Sequence, residues 1–233
     1  VQNFLESKDI KFTGSSSEAS QLAMDKNIVK LLCKEHSIPT PNWVLNSPVM
    51  DESMKSVDQF IDSGFVIKPV NEGSSFGITI FKKIPLEKEF RIGYEKAIKL
   101  FPSVMFEEYI PGRELTVSIL DNRTLPVIEI VPKGDYYDFK SKYTKFQSDY
   151  VVPAKIDRKT EELLSTYSLN IHRLVGCGVY SRSDFRLSED GSIYFLEINT
   201  LPGFTDTSLF PKSALSVGIN YNKLIKKIIK LSI

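Results

Sequence analysis

Between Val179 and Asn199 the chain reads VYSRSDFRLSEDGSIYFLEIN, and the two apolar-rich runs flanking Asp190-Gly191 predict a β-hairpin. A two-residue turn there pairs Glu189 with Ser192, and counting back sets Asp184 opposite Glu197 and Arg182 opposite Asn199. Side chains alternate along a strand, so Arg182, Asp184, Glu197 and Asn199 project from one face. A four-residue loop would shift the pairing by two positions and keep that face. The opposite face takes Val179, Phe185, Leu187, Tyr194, Leu196 and Ile198, an apolar surface suited to packing on a core.

The polar face has two readings. One is a solvated cross-strand ladder of ion pairs, contributing well under ~1 kcal/mol per exposed pair. The other is a site for metal and phosphate. Two carboxylates and an amide oxygen are hard ligands suited to Mg²⁺, which often shares its coordination with substrate phosphates. A ladder needs neither the uncharged Asn199 nor the Thr200-Leu201-Pro202-Gly203 that follows it, which favours the second reading.

A chain of 233 residues with 42% hydrophobic content can bury a substantial core. Thirty basic against twenty-nine acidic residues leave a net charge of +1, which argues against a broad nucleic-acid footprint. Cys33 and Cys177, the only cysteines, are too few for a disulfide framework and read as small buried hydrophobes in a reducing, cytoplasmic setting. His36 and His172, the only histidines, fall beside apolar residues in helical patterns, so a histidine-based triad is not expected. No apolar run approaches the ~20 residues that span a bilayer. The C-terminal NYNKLIKKIIKLSI has the pattern of an amphipathic helix, read here as docked on the core rather than on a membrane surface.

Helical spacing is expected over Asp25–His36, Glu52–Ile61, Leu86–Leu100 and Thr160–Leu174. Strands are expected at Phe65–Pro69, Ile78–Lys83, Val104–Tyr109, Leu115–Leu120 and Val127–Pro132, mostly as antiparallel neighbours with helices between, which favours an α+β fold. Gly14–Ser20 reads as a polar loop that could mark a boundary.

Glu72-GSSFG-Gly77 joins two strands, so it is neither a Walker loop nor a dinucleotide fingerprint. Its glycines permit close backbone approach, and Ser74, Ser75 and backbone N–H groups can donate to an anion. Taken alone it is also an ordinary hairpin loop. Lys68 favours the anion, because a lysine following Phe65-Val66-Ile67 needs an anionic partner if buried. Lys142 and Tyr143 lie in a polar, aromatic-rich stretch of the kind that closes over a site.

FVIKP followed by EGSS, then FEEYIPGRELTV, LPVIEIVPKGDYYDFKSKY, SRSDF and LEINTLPGFTDTSLFPK, in this order, resembles the D-alanine–D-alanine ligases of the ATP-grasp superfamily from about Asp9 to Lys226. The resemblance implies an ATP-grasp fold of two α+β lobes with antiparallel sheets enclosing ATP. The implied divisions are 1–22, the remnant of an N-terminal substrate domain and linker; 23–110, the central lobe; and 111–233, the C-terminal catalytic lobe. It implies an ATP-dependent enzyme of peptidoglycan precursor synthesis that joins two D-alanines through an acyl phosphate, using two Mg²⁺ ions with Mn²⁺ as an alternative. Small molecules are the implied partners, with a homodimer allowed.

By the same resemblance, Lys26 and Lys68 contact nucleotide phosphate and Ser75 lies in the phosphate loop. Glu107 receives the adenine amino group, Tyr109 and Ile110 line the base, and Glu114 holds the ribose. Ser74 and Tyr143 order the site, and Lys142 reaches the terminal phosphate. Arg182 stabilises the acyl phosphate, Asp184, Glu197 and Asn199 bind metal, and backbone donors near Gly203 assist acyl transfer. Ser208 and Leu209 place the second D-alanine's carboxylate. Tyr143 stands where D-lactate-using relatives are expected to carry histidine, which favours an amine acceptor. Val1–Ser15 resembles only the tail of the family's first domain, so the expected molecule is the ATP-binding catalytic portion, with an N-terminal domain supplied in cis or in trans. The alternatives are an ATP-grasp carboxylate–amine ligase with another substrate and a non-catalytic nucleotide-binding module.

Overall fold

The computed structural model of the chain describes residues 1–60, 62–73, 76–132 and 148–232. These fall into two compact units: one of Val1–Thr40, Gly112–Val131 and the described residues from Ser148 onward, the other of Pro41–Pro111.

The second unit is built on an antiparallel sheet in the order β1 (Trp43–Leu45), β4 (Val104–Glu108), β2 (Phe65–Pro69), β3 (Thr79–Phe81). Alternation along β2 and β4 sends Phe65, Ile67, Val104 and Phe106 to one face, where they pack with Phe90, Tyr94, Ala97 and Phe101 of and just beyond helix α5 (Glu87–Leu100). The Phe65 and Phe106 rings meet edge to face at 6.1 Å, an arrangement that adds to their burial. The helix expected over Glu52–Ile61 is helix α4 (Met50–Ser56) followed by a 3-10 turn, Val57–Phe60.

The first unit holds a larger antiparallel sheet in the order β10 (Ile193–Asn199), β9 (Tyr180–Leu187), β5 (Arg113–Leu120), β7 (Ile128–Pro132), β8 (Ser148–Val151), with β6 (Arg123–Thr124) beside β5. One face is closed by helix α3 (Lys26–Glu35) and helix α6 (Arg158–Leu174). Val29, Cys33, Leu164 and Ile171 there bury against Leu115, Val117, Phe185 and Phe195. Burial pushes the Cys33 thiol up to about 12, so it behaves as a hydrophobe. The C-terminal helix α8 (Tyr221–Ser232) docks Leu224 and Ile228 against the other face, together with Phe210 and Ala214 of helix α7 (Leu209–Ser216).

Three sequence expectations change. Gly14–Ser20 is partly helical, because Ser16 caps helix α2 (Ser17–Met24) by accepting from the Ala19 N–H at 3.1 Å. Residues 23–40, expected with the lobe running to 110, pack instead with the larger sheet, since the apolar side of α3 completes its core. In the hairpin, Ser188 N–H bonds to Ser192 O, so the loop has three residues and Gly191 takes φ +86°. Glu189 therefore does not face Ser192. A three-residue loop of this kind shifts the register by one, and a β-bulge between Phe195 and Glu197 shifts it back. Ile193 and Phe195 consequently take the core face, at 5% and 0% exposure, in place of Tyr194 and Leu196.

Candidate functional site

Beyond the bulge the cross-strand pairs are Asp184 with Glu197 and Arg182 with Asn199. On the other side β9 pairs with β5, setting Thr116 beside Asp184, Ser118 beside Arg182 and Glu114 beside Arg186. Two ranks of polar side chains, Thr116–Asp184–Glu197 and Ser118–Arg182–Asn199, thus cross three strands on the face opposite Phe185, and Glu114–Arg186 continues them across two. The expected grouping of Arg182, Asp184, Glu197 and Asn199 is present, and β5 extends it.

Asp184 is the hub. Its Oδ1 accepts from Thr116 Oγ1 at 2.6 Å and from Arg182 Nε at 2.9 Å. Its Oδ2 accepts from Arg182 Nη2 at 2.7 Å and from Asn199 Nδ2 at 3.4 Å. The paired guanidinium bonds are the strong, bidentate kind, and the residue is 6% exposed. That burial separates it from a solvated ladder. Glu197 lies 3.7 Å from Lys26 Nζ. Lys26 begins α3 just after its cap, Asp25, whose side chain accepts from the Ile28 N–H. Glu114 faces Arg186 at 3.7 Å, and Arg186 also donates to Gly112 O at 2.8 Å.

Two carboxylates and an amide oxygen on adjacent strands suit a hard divalent cation by the chemistry of the donor set. No group of three or more His, Cys, Asp or Glu side chains suited to a metal occurs among the described residues; this set reaches three donors only through Asn199.

Past β10, Ser208 Oγ lies 3.1 Å from the Thr205 N–H and 2.8 Å from Thr205 Oγ1. A Cβ on Gly203 would come within 2.8 Å of the same oxygen, so a side chain there would displace that hydroxyl. Leu209, buried, opens α7.

In the second unit Lys68 and Glu107 share the face of their sheet opposite the aromatic core. Lys68 Nζ and Glu107 Oε1 are 2.6 Å apart, both buried. The anion that Lys68 requires is therefore Glu107. The Tyr109 N–H bonds to Gly64 O at 3.1 Å, and Ile110 is buried. Gly77 takes φ +77° where a side chain would strike the Phe101 ring. Ser74, Ser75, Lys142 and Tyr143 lie outside the described residues.

One histidine lies on the surface and the other in the interior. His36 is exposed at the end of α3. His172 is buried with Nδ1 2.7 Å from Ser181 Oγ, and burial lowers its pKa to about 4. Sequence reasoning missed Thr116 and Arg186. Both carry a signal in alternation: Arg186 continues Arg182 and Asp184 at two-residue spacing, and Thr116 follows Glu114 in the same way.

The family model described as D-ala D-ala ligase C-terminus matches residues 32–230. The D-alanine–D-alanine ligase of Syntrophotalea carbinolica is 39% identical over 229 residues, which is 98% of this chain and 72% of that protein. A crystal structure of D-alanine–D-alanine ligase from Bacillus anthracis complexed with ATP superposes with a TM-score of 0.83 at 33% identity, covering 99% of this chain and 73% of that one. VanG D-Ala:D-Ser ligase from Enterococcus faecalis superposes with a TM-score of 0.85 at 30% identity, covering 100% of this chain and 68% of that one.

Proposed function

Because the chain belongs to the D-alanine–D-alanine ligase family, we propose that the polar face of its larger sheet carries the chemistry of an ATP-dependent ligase joining two D-alanines. The observation that carries this reading is the buried Arg182–Asp184–Thr116 network facing Glu197 and Asn199.

In the proposed reaction the carboxylate of the first D-alanine takes the terminal phosphoryl group of ATP and ADP leaves. The amine of the second then attacks the acyl carbon, phosphate leaves, and a peptide bond forms with loss of a proton. Phosphoryl transfer of this kind is mainly positioning and charge neutralisation. Asp184, Glu197 and Asn199 would hold Mg²⁺, which supplies charge neutralisation at the phosphates. Arg182, immobilised by Asp184, presents a fixed cation to the anion that develops on the acyl group. A donor aimed at such developing charge is worth on the order of 10²–10³ in rate. Lys26 adds a second cation at Glu197. Ser208, at the head of α7, would donate to the second substrate's carboxylate. In the second unit Lys68 and Glu107 offer a cation and an anion on one sheet face, complementary to a nucleotide's phosphate and exocyclic amine.

Titrating the full chain with Mg-ATP while following thermal unfolding, then measuring D-alanine-dependent ADP release and dipeptide by mass spectrometry, tests this reading. Stabilisation by Mg-ATP and D-alanyl-D-alanine as product support it. Absence of any nucleotide-dependent shift overturns it. D-serine and D-lactate in the same assay identify the acceptor.

A further inference from the structure

We infer that Lys30 is a positioning residue for Glu197, acting through Thr40 and the backbone of the β-bulge; this rests on the reading of Glu197 as a metal ligand. Lys26 and Lys30 stand one turn apart on α3 and so project from the same side of the helix. Lys26 reaches the Glu197 carboxylate. Lys30, 0% exposed, donates from Nζ to Thr40 Oγ1 at 2.5 Å, and the Thr40 hydroxyl donates to Phe195 O at 2.9 Å. The Phe195 N–H in turn donates to Pro39 O at 2.8 Å.

Phe195 flanks the bulge, where ladder pairing is interrupted and the strand bends. Its N–H and carbonyl are both bonded to Pro39 and Thr40, and the residue after the bulge is Glu197. One helix therefore holds this segment at two points, the carboxylate through Lys26 and the backbone two residues earlier through Lys30. A buried ammonium is costly unless it is well bonded, and here its bond leads to the turn of chain that puts Glu197 opposite Asp184. Partners that orient metal ligands typically change metal affinity or activity 10–100-fold when removed.

A merely structural Lys30 would lower stability without acting selectively on β10. Hydrogen exchange of residues 193–199 in the metal-free chain, together with Mn²⁺ titration followed by electron paramagnetic resonance, separates the two roles. Lys30→Met and Thr40→Val should each speed exchange in 193–199 at least tenfold, leave residues 113–120 protected, and weaken Mn²⁺ binding about tenfold. Lys30→Arg should recover part of both losses. Should Lys30→Met fail to fold, Thr40→Val, which keeps the volume and removes the hydroxyl, decides alone. A folded Thr40→Val with parental exchange and a parental Mn²⁺ titration overturns the inference. Unchanged Mn²⁺ binding in Glu197→Gln would instead overturn the ligand assignment, while the exchange data still judge Lys30.

Discussion

Arg182 grips Asp184 two residues along the same strand, Nε to Oδ1 at 2.9 Å and Nη2 to Oδ2 at 2.7 Å. Residues two apart on a strand share a face, and the planar guanidinium matches both carboxylate oxygens at once. Arg182→Lys keeps the charge and loses the fork. It should reduce kcat by on the order of 10²–10³ while circular dichroism stays parental. A kcat within threefold of the parent would show that a point charge suffices.

Glu197→Gln should abolish ADP release and leave the fold intact. Glu197 has a side chain 22% exposed and lies 3.7 Å from the buried Lys26, beyond hydrogen-bond reach, so Gln keeps the volume and the lost charge costs less than breaking the 2.6 Å Lys68–Glu107 pair. Parallel thermal melts and coupled ADP assays measure both. Retained turnover would remove Glu197 from the reaction.

Glu107→Ala should be severely destabilising, because it strands the buried Lys68 ammonium. Breaking a buried pair on one side costs about 3–5 kcal/mol, whereas replacing both members by apolar residues can be neutral. Urea unfolding should therefore find Lys68→Met/Glu107→Leu more stable than Glu107→Ala. A single variant as stable as the parent would place the pair in solvent.

Gly203→Ala should raise KM for the acceptor amino acid more than it lowers melting temperature, since the new methyl would lie 2.8 Å from Ser208 Oγ and displace it. Initial rates at fixed Mg-ATP and varied D-alanine resolve this. An unaltered acceptor KM would separate Ser208 from substrate.

Acid should weaken the fold through His172. Its folded pKa of about 4 lies below the ordinary 6.5, so the unfolded chain binds more protons between these values. The contribution is complete above about 6.5 and is lost as pH falls toward 4, amounting to at most about 3 kcal/mol. Urea midpoints of the parent and His172→Gln should converge as pH drops through this window. A constant difference would mean that His172 does not titrate there.

Much of this molecule was legible in its sequence. Alternation in SRSDF and LEIN put Arg182, Asp184, Glu197 and Asn199 on one face, and the α3, β2 and β9 patterns followed from local spacing. The partner of Lys68 was not legible, because Glu107 lies 39 residues away and only strand pairing brings the two together. Nor was the inward turn of Ile193 and Phe195. Local pattern put Tyr194 and Leu196 inside, but a three-residue loop and a bulge displace the register in opposite senses. The bulge is bonded through Phe195 to Pro39 and Thr40, with 155 residues between Thr40 and Phe195. Periodicity determined which residues could share a surface, since a strand's geometry is local. Tertiary structure decided which side of β10 meets the core, because loop length and bulge together set the register, and a remote segment, Pro39–Thr40, satisfies the outward N–H and carbonyl of Phe195 on this edge strand.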